Sequence, residues 1–481
     1  MKHLVLAILI CLFPFFQSEA QSFSKHQFQK DFDILQRIYE KANAGLYKYH
    51  SKRETDSIFQ ANRKRIRNGI SYREFYKLVW EVIDFTGSCH NDLFYPDTLK
   101  NALRQQRIFF PLPLKYIRNK LYTNLAWENM PAGSEILAIN HTDATSFATE
   151  VSRFLSTDGY NTTGKYAFLE TNALFFNVYL AYGPQQSFTI SYKDSSGITQ
   201  KTLEAVDYKT AIGNYRQRFI PDYEKNVPDY SFRLLDQTGL LTVSTFALGG
   251  TKSDGHQKYA RFLDSVFTDL KQKNIRNLIV DIRENGGGND PNDLLLYSYL
   301  THRNFRENKS AHTLFNKVPL KKYYLEEEKN EIKELEETLK EEHSVLKDGK
   351  YYQNETFNPV WTPKPNAFSG NIYLLISPFV ASAGSLFASM VKSDEGPVVI
   401  GQEALGGYYG HTGHIPVTYR LPNTGLRLSF SIVDLEQDVQ KLPDQRYGDG
   451  IKPDYQVEQT IDDYLGDKDT ILEFAKKLLM H

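Results

Sequence analysis

Two turns rich in small residues carry the side chains of this 481-residue chain best suited to chemistry. The first is Asp281-Ile282-Arg283-Glu284-Asn285-Gly286-Gly287-Gly288, directly after a strand of buried type. Three consecutive glycines let a backbone bend sharply and aim N–H groups into a cavity with no side chain in the way. Donors so placed stabilise an oxyanion, often the largest single term in catalysis. A phosphate-binding loop would need a Walker Lys-Ser/Thr ending or dinucleotide spacing, and the turn has neither. The second turn is Pro378-Phe379-Val380-Ala381-Ser382-Ala383-Gly384-Ser385, leading into a helix with Phe387, Met390 and Val391. Small residues around Ser382 suit a nucleophile elbow, with the hydroxyl held at a sharp turn and the next N–H free to donate. The helix dipole favours developing negative charge at the same place. The ordinary alternatives are a glycine-rich connection for the first turn and a helix N-cap for Ser382.

The two turns in this order, with Gly450-Ile451-Lys452-Pro453-Asp454 near the end, resemble the C-terminal-processing and tricorn-core family of serine peptidases (tail-specific protease-like). The resemblance covers roughly residues 231–457. It implies a crotonase-like (ClpP-type) α/β peptidase core, Ser382 as nucleophile, an oxyanion hole from Gly287 and the Ala383 N–H, and no cofactor. A serine hydroxyl needs a base at neutral pH. One branch of the family carries a lysine in a Phe-Gly-Lys-Gly stretch, but the corresponding run 401–407 has Gly407 at that position. The non-lysine branch takes a histidine from before a PDZ-like domain, and His90 in Gly87-Ser88-Cys89-His90 stands there. A third member stays open. The late glutamate would align near Tyr447, so Asp444 and Asp449 are candidates, as is Ser88, because Cys89 occupies the place of that branch's serine. His411 and His414, three apart, show no third metal ligand in the sequence. Cys89 beside His90 is a poor nucleophile candidate, since adjacent side chains seldom face one another.

These residues need elements to position them. Phe28, Phe32, Leu35 and Ile38 fall at helical spacing, as do Tyr72, Phe75, Tyr76, Val79, Val82 and Ile83. Ser71 with Glu74 reads as a capping box opening the second helix, which stops at Gly87 before the His90 loop. From 109 to 206 the texture is β-rich, with alternating runs at 114–117, 135–139 and 187–192. Within it, Pro131 to Asn140 resembles the middle of a PDZ domain, a module that binds peptides by adding a strand to a sheet edge. Beyond 216 strands and helices alternate: strands at 239–246, 277–283, 371–377 and 397–400, helices at 259–273, 290–300 and from 383. That alternation implies an α/β core. The segment 324–347, dense in Glu and Lys, reads as a solvated inserted helix with Ile332, Leu335, Leu339 and Leu346 inward, or as a lid.

Composition sets the remaining limits. With 57 basic and 58 acidic side chains no global field exists to recruit nucleic acid or an anionic membrane. The 31 Tyr and 31 Phe argue against disorder. A basic start, an apolar run 4–16 and Ser18-Glu19-Ala20 form a secretory signal, too short for a comfortable membrane span. Its removal leaves Cys89 alone, which excludes an internal disulfide and cysteine-pair zinc sites. The expected organisation is a signal peptide (1–20), a helical domain (21–95), a PDZ-like domain (96–215) and an α/β serine peptidase core (216–481) with the charged insertion near 320–350. The expected function is an exported endopeptidase, periplasmic, extracellular or at the cell surface. It would act on peptides or unfolded proteins through an acyl-enzyme, without nucleic acid or membrane insertion. The alternatives are a catalytically degenerate peptide-binding protein on the same scaffold and hydrolysis of a non-peptide ester.

Overall fold

The computed structural model describes residues 23–479; the expected signal segment lies outside the described residues. The chain opens with three helices, Lys25–Ala42, Lys52–Arg65 and Tyr72–Phe85. Each begins at a capping box, Ser24 with Gln27, Ser51 with Glu54 and Ser71 with Glu74. Reciprocal capping satisfies donors that a helix start otherwise leaves orphaned. The apolar faces foreseen on the first and third helices are buried, with Phe32, Leu35, Phe75 and Val79 fully inaccessible.

Five parallel strands form the central sheet. Their order is Tyr455–Gln456, Val398–Gly401, Asn371–Ile376, Asn277–Asp281 and Thr238–Val243, with Tyr230–Leu235 added antiparallel at the edge. Side chains alternate between its faces, as a period of two requires. Leu278 and Val280 meet the helices Asp254–Gln272 and Ala383–Ser393, while Ile279 meets the C-terminal helix Thr470–Leu478. Buried on both faces, these strands read as the near-continuous apolar runs that marked them in the sequence. The alternation of strands and helices thus folds as the α/β core it implied.

A second sheet is antiparallel and contains Leu114–Ile117, Lys120–Thr123, Glu135–Ile139, Ser187–Asp194 and Gly197–Glu204, with the helix Ala144–Ser152 packed on it. The β-rich reading of 109–206 missed the helix Ala173–Tyr182. Its sequence, ALFFNVYLAY, is apolar almost all round, so it lacks the one-sided stripe that announces a surface helix.

The third sheet joins distant parts of the chain. Arg427–Gln437 pairs with Thr412–Arg420 along one edge and with Asn308–Thr313 and Asp92–Phe94 along the other, Asp92 facing Ser429. The short strand Asp92–Phe94 therefore anchors the His90 loop to an element more than 300 residues away. The charged segment forms a shorter helix than expected, Glu331–Glu342, followed by the hairpin Val345–Lys347 and Lys350–Tyr352. Leu339 is buried as foreseen, whereas Leu346 sits on the hairpin and is 63% exposed.

Candidate active site

Ser382 lies between the strand Asn371–Ile376 and the helix Ala383–Ser393, at φ 51° and ψ −132°. A non-glycine residue with positive φ is strained, and such strain clusters at sites where it holds a group in place. The hydroxyl does not cap the helix, so the ordinary reading of this serine fails. Capping is left to backbone: the Ser382 carbonyl accepts from the Ser385 and Leu386 N–H groups.

His90 reaches the same place from the other end of the chain. The loop after Tyr72–Phe85 turns at Gly87, whose carbonyl accepts the Gly159 N–H at 2.9 Å. The Cys89 N–H donates to Asp158 Oδ1 at 2.8 Å, and Ser88 Oγ accepts the His90 N–H at 3.2 Å while donating to the Thr412 carbonyl at 3.3 Å. So held, the imidazole sets Nε2 3.2 Å from Ser382 Oγ. The two side chains share a cavity of about 190 Å³ with Gly288, Ala383, His411 and His414.

The glycine turn abuts the serine turn. Gly287 has φ 104°, and a Cβ there would lie 2.7 Å from Ser382 Cβ and 2.9 Å from the Ala383 nitrogen. Only glycine permits this approach. Asn285 ties the turns together: its carbonyl accepts the Ala381 N–H at 3.3 Å and its Nδ2 donates to the Val243 carbonyl at 3.1 Å. The Gly287 N–H donates to Asn285 Oδ1 at 2.9 Å. That corrects the expectation of Gly287 as an oxyanion donor, because its N–H is already committed within the turn. Gly287 contributes the absence of a side chain, and Gly288 with Ala383 borders the cavity instead.

Neither late aspartate meets His90. Asp444 is exposed. Asp449 is held by Arg446 at 2.8 Å and Lys452 at 2.5 Å, which draw its carboxyl below the usual range despite burial. Ser88 contacts the His90 backbone rather than its ring. The carboxylate beside His90 is Asp158, fully buried, taking N–H bonds from Cys89 and from Gly407 at 3.1 Å. Sequence reasoning missed it, since Asp158-Gly159 reads only as a loop turn.

Electrostatics keep the imidazole neutral. Burial lowers the His90 pKa, the nearby Asp158 charge opposing and the His414 charge assisting that shift. Burial conversely raises Asp158, against the pull of His90 and its N–H donors. His411 and His414, paired in the sequence, face different partners: His411 precedes the strand Thr412–Arg420, and His414 lies in its register shift between Gly413 and Pro416. His411 is buried with its ring centroid 5.1 Å from that of His90. His414 sits 3.1 Å from Glu307 and 3.4 Å from Asp290. Burial works against its charge, but these two carboxylates outweigh it and push its pKa up to about 10. Cys89 does face its neighbour, Sγ lying 3.5 Å from His90 Nδ1, against the expectation that adjacent side chains point apart. Burial pushes its thiol well above the ordinary range, so it is no rival nucleophile.

Among the described residues no helix is long and apolar enough to cross a membrane. No curated protein matches the chain by sequence. Two solved structures described as mature CPAF, one complexed with lactacystin, share its fold at 12% identity. They have TM-scores of 0.60 and 0.57, covering 94% of this chain and 97% and 96% of theirs. A putative peptidase from Parabacteroides merdae covers 96% of the chain at 14% identity and a TM-score of 0.46. The model of Peptidase family S41 matches residues 237–457, which span both turns and the Gly-Ile-Lys-Pro-Asp run. Residues 237–457 thus form a domain of Peptidase family S41, a serine-type peptidase domain.

Proposed function

We propose that the protein is an exported endopeptidase that cleaves peptides or unfolded proteins through an acyl-enzyme on Ser382. The observation that carries this reading is the 3.2 Å separation of Ser382 Oγ and His90 Nε2, within the reach a general base needs. Ser382 Oγ attacks the scissile carbonyl carbon while its proton passes to His90 Nε2. The carbonyl oxygen becomes an oxyanion facing the N–H groups of Ala383 and Gly288. Collapse expels the amine, which takes the proton from His90 and leaves the acyl-enzyme. Water then attacks, deprotonated by the same nitrogen, and the carboxylic acid product departs as Ser382 regains its proton. Asp158 orients the His90 loop through the Cys89 N–H and stabilises the imidazolium that forms transiently.

A cavity of about 990 Å³ favours extended chain segments as substrate. It borders Pro378 and Phe379, which lead into Ser382, and Tyr116 and Ile117 of the antiparallel sheet. We assign that sheet with its helix Ala144–Ser152 a PDZ-like role in presenting the substrate. Export rests on the basic start and apolar run of residues 1–20. The test compares an unfolded, casein-like protein with a compact folded one. The unfolded protein should be cleaved and Ser382→Ala should abolish cleavage; equal cleavage by Ser382→Ala contradicts the mechanism. A secreted chain that retains residues 1–20 contradicts the signal assignment.

A further inference from the structure

The inner side of the His90 ring carries an arrangement that peptide hydrolysis does not require. Cys89 Sγ, His90 Nδ1 and an Asp158 carboxylate oxygen all lie within 4.8 Å of one another. A fourth donor borders the set beside Asp158. His411 is 1% exposed, and its Nδ1 has no hydrogen-bond partner although it lies 3.8 Å from Asp158 Oδ2. A buried ring nitrogen with nothing to bond is costly in a protein interior. Sulfur, two imidazole nitrogens and a carboxylate form the donor chemistry of zinc, which soft and borderline ligands select. In a tetrahedral site with Zn–S near 2.3 Å and Zn–N near 2.0–2.1 Å, sulfur and nitrogen stand about 3.5 Å apart. Cys89 Sγ and His90 Nδ1 are separated by 3.5 Å.

We propose that Cys89, His90, Asp158 and His411 form a zinc site, and that a bound zinc ion switches the peptidase off. The switch rests on the catalytic role assigned to His90; the site does not. Binding forms a bond from zinc to Cys89 Sγ and breaks the S–H bond, the proton going to solvent. It also takes His90 Nδ1, whose proton transfers to Nε2. With Nε2 carrying a proton, the ring cannot accept one from Ser382. One proton is released in all, and no redox step occurs.

The experiment uses the full chain with Cys11→Ser, which leaves Cys89 as its only thiol. Cobalt(II) serves as the spectroscopic probe. A thiolate-to-cobalt absorption should saturate at one equivalent and vanish when zinc is added. Zinc should also suppress fluorophosphonate labelling of Ser382 with the same concentration dependence. Adding Cys89→Ala should erase the absorption and raise the zinc concentration for half-inhibition at least about ten-fold, measured against that variant's own uninhibited rate. No thiolate band in the Cys11→Ser chain, or inhibition at unchanged zinc in Cys89→Ala, overturns the site. A saturated band with labelling undiminished overturns the switch. A band in a chain without peptidase activity supports the site and counts against the peptidase mechanism alone.

Discussion

Ser382 Oγ and His90 Nε2 stand 3.2 Å apart although 292 residues separate them in the chain. Neither residue belongs to the same sheet or helix as the other. Ser382 is set by the central parallel sheet, and His90 by a loop stitched to Asp158, Thr412 and the strand pair Asp92–Phe94 with Arg427–Gln437. The helical start of the chain thus brings His90 to Ser382, and on the proposed mechanism whatever loosens its docking loosens the base.

Replacing the base tests that consequence. His90→Ala should lower kcat by about 10²–10⁴-fold, the usual contribution of a positioned acid–base group. In the wild type only the neutral ring accepts the serine proton, and burial lowers the His90 pKa. The acid limb of kcat/KM should therefore fall below the ordinary imidazole value of ~6.5. A limb above that value in a pH–rate profile contradicts the buried environment.

Two adjacent glycines should respond in opposite ways. At Gly287 a methyl group collides with the serine turn and occupies a left-handed backbone, whereas at Gly286 it would meet nothing within 4 Å. Gly287→Ala should cost about 10²-fold or more in kcat, as displacement of a nucleophile does. Gly286→Ala should stay within about two-fold, since no group is displaced. Parallel rate measurements with circular dichroism decide it, and equal losses would contradict the close approach.

Asp158 and Asp449 separate a positioning role from a structural one. Asp158→Asn should lower kcat on the order of 10² with KM little changed. It should also move the acid limb to lower pH, because the Asp158 charge is what raises the His90 pKa against burial. Asp449 is tied to Arg446 and Lys452, so Asp449→Asn should leave the limb in place. A shift with Asp449→Asn and none with Asp158→Asn reverses the assignment.

Stability should peak near neutral pH. His414 has its pKa pushed up to about 10, above the unfolded ~6.5. Its contribution is therefore full below ~6.5 and lost as pH rises toward about 10. His312 and His343 run the other way. Burial lowers each to about 4, so the unfolded chain takes up protons first and stability falls as pH drops from ~6.5 to that value. Calorimetry of His414→Gln should show a flatter alkaline limb than wild type. A limb as steep as the wild type's would mean the ion pairs with Glu307 and Asp290 contribute nothing.

The sequence made the central sheet legible because buried parallel strands are unbroken apolar runs bounded by turn chemistry, as at 277–281 and 371–376. The helix Ala173–Tyr182 was not, since an all-apolar helix carries no period to read. Within the site, Ser382 and the glycines announce themselves through local turn geometry, and His90 through the family resemblance. Asp158 does not, because its role depends on Gly159 meeting Gly87 across the fold. Nor could the sequence tell that Gly287 gives up its N–H to Asn285. A carboxylate's distance from a distant imidazole is set by tertiary packing, which spacing along one chain does not encode.

Mapping the site of covalent labelling by a fluorophosphonate tests the Ser382–His90 pairing most directly. Peptide mass spectrometry should find the adduct on Ser382, absent in Ser382→Ala and formed about 10²–10⁴-fold more slowly in His90→Ala. An adduct on another serine, or one formed on Ser382 at an undiminished rate in His90→Ala, would contradict it.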